Sequence, residues 1–214
     1  EKFKKYGCKT CCVDPAENRF EACQAREIDL AICDFFPTDC LGELKFDVIT
    51  ALNVVAHVPD PLSFLQEFAK RLNPNGKAFI QVSQRYMQKN CEFDTVYHEH
   101  ISFFTDKSMA TLAKRAGLDL IEVIERPIHG TSTLFILGRQ EDGWRSELPP
   151  FEDYYQDINL YKNFQSEYQK RYNACRDFIN LEKSFGRRFV GYGAAAKGLN
   201  LINCFGLEPE YVVD

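Results

Sequence analysis

The densest run of chemically able side chains is Asp94-Thr95-Val96-Tyr97-His98-Glu99-His100. Two imidazoles, a carboxylate and a phenol stand within four consecutive residues. Together they could supply a general base, a group that orients it and a donor for a developing oxyanion. The same string would also suit a solvated polar loop. His98, Glu99 and His100 could instead ligate iron or zinc, but no distant His or Cys cluster completes the shell, so no metal is assigned.

Other candidates stand where strands end. Asp14 and the Asp34-Phe35-Phe36 run each follow an apolar segment. A carboxylate there can accept hydrogen bonds from ribose hydroxyls, and an acid beside a ring can meet an adenine amine and face. Asp also caps helices and starts turns, which keeps a structural role open for both. Asn53 and His57 follow the next strand, where the cleft of such a sheet lies, and His57 could equally cap local backbone. Further on, Gly191-Tyr192-Gly193-Ala194-Ala195-Ala196-Lys197-Gly198 joins a strand to a helix. Its amides could face a phosphate while Lys197 adds charge, although it matches neither common phosphate-loop spacing.

The elements that would position these groups are legible from periodicity. Residues 1–7 read as the end of a helix closed by Gly7. Strands are expected at 10–13, 29–33, 46–52 and 77–82. Helices are expected from Pro15 to about Ala25 and over 61–72, the latter stopped by Asn73-Pro74-Asn75-Gly76. Such alternation predicts a parallel sheet covered on both faces, with ligands outside the carboxyl ends of the strands. Residues 83–104 lose all periodicity, as a functional connection would. A helix over 105–116 and an antiparallel strand pair at 118–125 and 132–137 follow. Asp142-Gly143 and Pro149-Pro150 mark residues 140–150 as a linker. It separates a domain over 1–139 from a second over 151–214. The second opens with an amphipathic helix over 151–185 and continues with a strand at 188–192, a helix to about Phe205 and a strand from Glu210.

Composition limits the alternatives. The chain has 214 residues, 45% hydrophobic and 27% charged, which excludes a disordered or low-complexity protein. A net charge of −5 without a basic block argues against a nucleic-acid surface, leaving room for a small anionic ligand. No apolar run is long enough for a bilayer and no signal segment is visible, so a cytoplasmic protein without membrane contact is expected. Nine cysteines, several in apolar runs, read as reduced and mostly buried thiols. Cys8-Lys9-Thr10-Cys11 lacks the second pair a zinc site needs.

Taken together, these residues resemble the S-adenosylmethionine-dependent C-methyltransferases that act on keto-sugar nucleotides in deoxysugar biosynthesis. The resemblance covers nearly the whole chain. It rests on Phe46-Asp47-Val48-Ile49 leading to Asn53 and His57-Val58-Pro59-Asp60, and on Phe93 to His100 with Ser102-Phe103-Phe104. Pro127-Ile128-His129-Gly130 and the 191–198 motif complete it. It implies an α/β fold: a Rossmann-like class I methyltransferase domain, partial with its first strand missing, then the start of a second Rossmann-like domain. It also implies a zinc-binding domain upstream, so zinc is expected only if that domain exists. The family's first strand and Gly-rich loop are not in this sequence, and Thr131 stands where the family often has a second Gly, which suggests a fragment.

By the same resemblance, His100 would be the base that removes the proton beside the sugar ketone. Glu99 would orient or charge it, and Tyr97 would contact substrate. S-adenosylmethionine would be held by Asp14, Asp34, Phe35, Asn53 and His57. The sugar nucleotide, the expected small-molecule partner, would meet His98, His129, Gly130, Tyr192, Gly193 and Lys197, with Lys197 at the diphosphate or at the seam between domains. Two other readings stay open: a truncated nucleotide-binding module without catalysis, and methyl transfer to oxygen.

Overall fold

The computed structural model describes residues 2–144, 148, 151, 156–193, 195–208 and 212–213. A 3-10 turn over Phe3–Tyr6 ends at Gly7, whose φ of 77° lets its amide turn back to the Lys4 carbonyl. Strand β1 (Cys11–Val13), helix α1 (Glu17–Ala25) and strand β2 (Leu30–Ile32) follow, and β1 pairs with β2 in parallel.

The main sheet takes its strands from β3 (Phe46–Leu52), β4 (Leu72–Val82), β5 (Leu118–Arg126) and β6 (Ser132–Arg139), in the order β3-β4-β6-β5. Helix α2 (Pro61–Arg71) connects β3 to β4. Pro61 occupies its first turn and the Asp60 carboxylate accepts from the amides of Leu62 and Ser63, so the start is set by local chemistry. Between β4 and β5 lie a short helix α3 (Met87–Asn90), a 3-10 turn over Phe93–Thr95 and helix α4 (Asp106–Arg115). Thr105 and Ser108 cap α4 reciprocally.

One apolar cluster joins these parts. Phe64, Leu65 and Phe68 of α2 and Met109 and Ala113 of α4 meet Ala78, Ile80 and Val82 of β4 and Phe135 and Leu137 of β6. Alternate β4 residues are buried, so that strand turns one face fully to α2 and α4. Phe36 extends the cluster, its ring 5.0 Å from Phe64 and 5.3 Å from Phe68, and ties the β2–β3 connection to α2. Arg71, 5% exposed, donates to the carbonyls of Gly42 and Leu44 in the same connection.

Three expectations need correction. The single parallel sheet is instead two, since β1 and β2 pair apart from the parallel β3 and β4, and β6 enters antiparallel to β4, while its antiparallel pairing with β5 is the expected one. The short connector between β5 and β6 leaves no room for a crossover helix, so the chain must reverse. Asn73-Pro74-Asn75-Gly76 does end α2, yet it lies inside β4 as an irregularity. Phe46 faces Leu72 while Val48 faces Lys77, and Asn75 takes a φ of 61°. Nor are the thiols mostly buried. All nine are free, but only Cys91 is buried, while Cys8, Cys33 and Cys40 are exposed. Cys11 and Cys12 stay half-buried because β1 and β2 form a separate two-stranded sheet in which no residue is fully buried. Within it burial and the neighbouring Cys23 push the Cys12 thiol up to about 12, which keeps it protonated and unreactive.

The linker region begins packed against the sheet: Asp142 accepts from Arg139 and from the Asn75 amide, and Lys77 lies over the Trp144 ring. Pro149 and Pro150 lie outside the described residues. Beyond them, helix α5 (Ile158–Ser184) precedes a βαβ unit of strand β7 (Gly191–Tyr192), helix α6 (Ala196–Phe205) and strand β8 (Val212–Val213), with β7 parallel to β8. The strand expected at 188–192 is thus only two residues long in the ladder. Glu210, expected to begin the last strand, lies outside the described residues. No helix among the described residues is long and apolar enough to cross a membrane.

Leu65 is fully buried beneath the sheet. Leu65→Ala is expected to cost about 2–5 kcal/mol, lowering the denaturant midpoint without changing the slope.

Candidate active site

Strand β3 delivers the first site residues. At its end Asn53 adopts a φ of 56° and its amide donates to the Gln81 carbonyl at 2.9 Å, so the chain leaves the sheet sharply. The next turn, Val55–His57, buries Val55 and Ala56 and lifts His57 to the surface of the core. The Ala56 carbonyl then accepts from the amides of Ile101 and Ser102 at 2.9 and 3.1 Å. These bonds bring the end of the 83–104 connection onto the β3 edge. Gln84, only 2% exposed, closes that connection: its amide donates to the Ser102 carbonyl at 3.0 Å and accepts from the Phe104 amide at 3.1 Å.

Held this way, His100 sits in a defined environment. Its Nδ1 lies 2.7 Å from the Thr95 carbonyl. A carbonyl can only accept, so Nδ1 carries the hydrogen and Nε2 presents its lone pair. Nε2 lies 3.0 Å from the Tyr97 hydroxyl, which therefore donates to it. The two ring centroids are 4.1 Å apart, and the tilted His57 ring lies 4.8 Å from His100. Burial, aided by the charges of His57 and Lys197, holds His100 below the usual imidazole range against the opposing Thr95 bond and Glu99 charge. Burial, followed by the Glu99 charge, raises Tyr97, so it stays a neutral donor. The pair is a neutral base beside a neutral acid, which is what proton abstraction next to a carbonyl requires.

The other expected residues fall into separate places. The Glu99 carboxylate is more than half exposed and lies 3.8 Å from His98, while its backbone carbonyl accepts from His57 Nδ1 at 2.8 Å. The group that orients His100 is therefore the Thr95 carbonyl, and Glu99 reaches His100 only through its charge. His98 is 90% exposed. Among the described residues no three His, Cys, Asp or Glu side chains gather as a metal site would need.

Asp14 and Asp34 stand at the same end of the parallel pair β1 and β2. Asp14 accepts from the Ala16 amide at 3.0 Å. Asp34 accepts from the Thr38 hydroxyl and the Phe35 amide, which hold its carboxyl below the usual carboxylate range, and the Phe35 ring beside it is exposed. Asn53 accepts from Ser83 at 2.7 Å, and Ser132, whose hydroxyl donates to the Ile128 carbonyl at 2.7 Å, lies 3.3 Å from the Ser83 hydroxyl. His129 and Gly130 turn the hairpin with φ of 52° and 86°, and a Cβ at Gly130 would lie 2.7 Å from the Glu92 carboxylate. Tyr192 is exposed, Gly193 has a φ of 88°, and Ala194 lies outside the described residues. Lys197 lies 3.6 Å from Asp94 and so reaches the seam.

Several contributors escape a reading of the sequence. Gln84 acts on distant backbone groups through its side chain and Thr95 acts through its own carbonyl, neither of which a motif reveals. Ser83 and Ser132 are common residue types whose meeting depends on the pairing of β4 with β6. Arg171 donates to the carbonyls of Asn90 and Cys91, each at 3.0 Å, from a position about 80 residues further along the chain.

Comparison with known proteins bears on the family and the fold. The methyltransferase domain family matches residues 1–123, and the C-methyltransferase C-terminal domain matches residues 152–214. The chain therefore belongs to the methyltransferase domain family. Among curated proteins it is 27% identical to the C-methyltransferase NovU of Streptomyces niveus, over 99% of this chain and 53% of that protein. It is 30% identical to the ubiquinone biosynthesis O-methyltransferase of Cupriavidus pinatubonensis, over 45% of this chain and 43% of that one. The chain thus spans about half the length of the curated relatives it matches. The solved CcbJ methyltransferase of Streptomyces caelestis superposes with a TM-score of 0.51 at 12% identity, over 64% of this chain and 77% of that one. The fold is accordingly the α/β Rossmann-like class I methyltransferase fold.

The charge of His57 opposes protonation of His100. His57→Phe is expected to raise the His100 pKa toward the ordinary imidazole value, which a histidine-resolved NMR titration would detect. An unchanged or lowered value would contradict this electrostatic account.

Proposed function

We propose that this protein is an S-adenosylmethionine-dependent methyltransferase that places a methyl group on a carbon beside the ketone of a keto-sugar nucleotide. The observation that carries the reading is the His100–Tyr97 pair, with its fixed tautomer and lowered imidazole pKa. The C-methyltransferase C-terminal domain and the match to NovU over 99% of this chain support carbon as the acceptor. Transfer to oxygen is the second reading, favoured by the O-methyltransferase relatives, whose matches cover less of the chain.

The cofactor would supply an electrophilic methyl group on a sulfonium. Residues at the ends of β1 and β2 fit it. Asp14 spends one oxygen on the Ala16 amide and keeps the other for a ribose hydroxyl, and Phe35 exposes a ring face beside the ionised Asp34. Asn53 and His57 would close this side. Tyr97 would pass its hydroxyl from Nε2 to the ketone oxygen as substrate binds, leaving Nε2 free to take the adjacent carbon-bound proton. Thr95 would keep Nδ1 protonated while the imidazolium forms. The Glu99 carboxylate would stabilise that cation through its charge, and Tyr97 would hold the oxyanion. Lys197 would meet the diphosphate near Asp94, with His98, His129, Gly130, Tyr192 and Gly193 on the substrate side.

In the full protein, His100→Ala is expected to lower methyl transfer by about 10²–10⁴-fold and to abolish solvent exchange of the α-proton, with cofactor binding by calorimetry retained. Retained transfer would remove the base role from His100. Retained transfer without any carbon-bound proton lost, seen in the wild-type product, would favour oxygen as acceptor. Asp34→Ala is expected to weaken S-adenosylhomocysteine binding by about tenfold, as loss of a charged hydrogen-bond acceptor does. Unchanged affinity would move the adenosine site elsewhere.

A further inference from the structure

The segment carrying Thr95 is gripped from the second domain. Asn200, in the middle of α6, donates through Nδ2 to the Val96 carbonyl at 2.8 Å and the Phe93 carbonyl at 3.2 Å. Its Oδ1 faces the Cys204 thiol at 3.4 Å, so the amide is turned with its NH2 group toward the two carbonyls. Those carbonyls flank Thr95, which is fully buried and whose own carbonyl holds His100 Nδ1. Lys197, one turn earlier on α6, faces Asp94 in the same segment. Phe93 stacks on Phe205 of α6 at 5.1 Å and meets Tyr168 of α5 edge-on at 5.2 Å.

The arrangement has a chemical consequence. The Thr95 carbonyl must point at His100 for the lone pair to stand on Nε2. Its direction depends on the peptide planes at Phe93 and Val96, because the 3-10 turn over Phe93–Thr95 has few internal hydrogen bonds. The Val96 amide already donates to Phe93, which leaves the Val96 carbonyl to be oriented from outside. Asn200 supplies that orientation.

We propose that Asn200 is a positioning residue for the candidate base: by bracketing Thr95 it fixes the His100 tautomer, and it makes the second domain part of the active site. This rests on the reading of His100 as the base, but its main test does not. In the full protein with ¹⁵N-labelled histidine, His100 is assigned by its loss in His100→Asn. The wild type is expected to hold His100 as the Nδ1–H form. Asn200→Ala is expected to give a mixture with the Nε2–H form and to lower kcat by about tenfold while cofactor affinity holds.

Arg171→Ala is the control, because it releases the same connection at Asn90 and Cys91 without touching Phe93 or Val96. It is expected to lower the thermal midpoint and leave the tautomer intact. If Asn200→Ala lowers the midpoint as Arg171→Ala does and leaves the tautomer and kcat unchanged, Asn200 only holds the domains together and the proposal fails. Should Asn200→Ala not fold, Asn200→Gln decides by the same spectrum: a shifted tautomer supports the proposal and an unshifted one overturns it. A wild-type protein that transfers no methyl to carbon would overturn the functional reading and leave the tautomer result to decide the positioning role alone.

Discussion

The candidate site depends on how residues 83–104, which contain only short helical turns, are closed without leaving buried polar groups unpaired. Gln84 provides the closure. One side-chain amide, almost fully buried, answers a carbonyl and an amide at the far end of the segment, so the connection leaves and re-enters the core at nearly the same place. An irregular segment carries backbone groups that no ladder satisfies, and each buried one left unpaired costs about 1–3 kcal/mol. The Ala56 carbonyl takes two more of them. That accounting, rather than any regular element, places the connection against the carboxyl end of β3.

The electrostatics of His100 arise from competition. Burial disfavours the cation, and His57 and Lys197 add like charge, while the Thr95 carbonyl and Glu99 favour protonation. The first group prevails. A base that is neutral before substrate arrives and tolerates charge afterwards needs both sets, because either alone would leave it permanently charged or unable to accept a proton. Tyr97 answers to the same burial in the opposite sense, since desolvation keeps a phenol protonated.

The seam between the two parts of the chain is built on few but specific contacts. Phe93 lies between Tyr168 and Phe205, Tyr168 donates to the Cys204 carbonyl, and Arg171 and Asn200 together take four backbone carbonyls of residues 90–96. A seam made from directional bonds to backbone carbonyls transmits position more faithfully than an apolar contact of similar size, because geometry rather than area carries its energy. The C-terminal part thereby holds the segment whose Thr95 carbonyl meets His100, and Lys197 reaches Asp94 in the same segment.

Much of this was legible in the residue order. The helices over 61–72 and 105–116, the strand at 77–82 and the Tyr97-to-His100 string are local patterns, and their physics acts within about four residues. Asp14 and Asp34 stand at strand ends as their spacing implies. What the order of residues could not decide was which of several able groups would meet. Glu99 is adjacent to His100 in sequence, yet its carboxylate points to solvent while Thr95 orients the ring through a carbonyl that every residue possesses. The pairing of β6 with β4, the separation of β1 and β2 into a small sheet that leaves Cys11 and Cys12 half-buried and the reach of Asn200 across about 100 residues all follow from packing between distant elements. Such pairings depend on the whole set of competing contacts, which only the folded chain resolves.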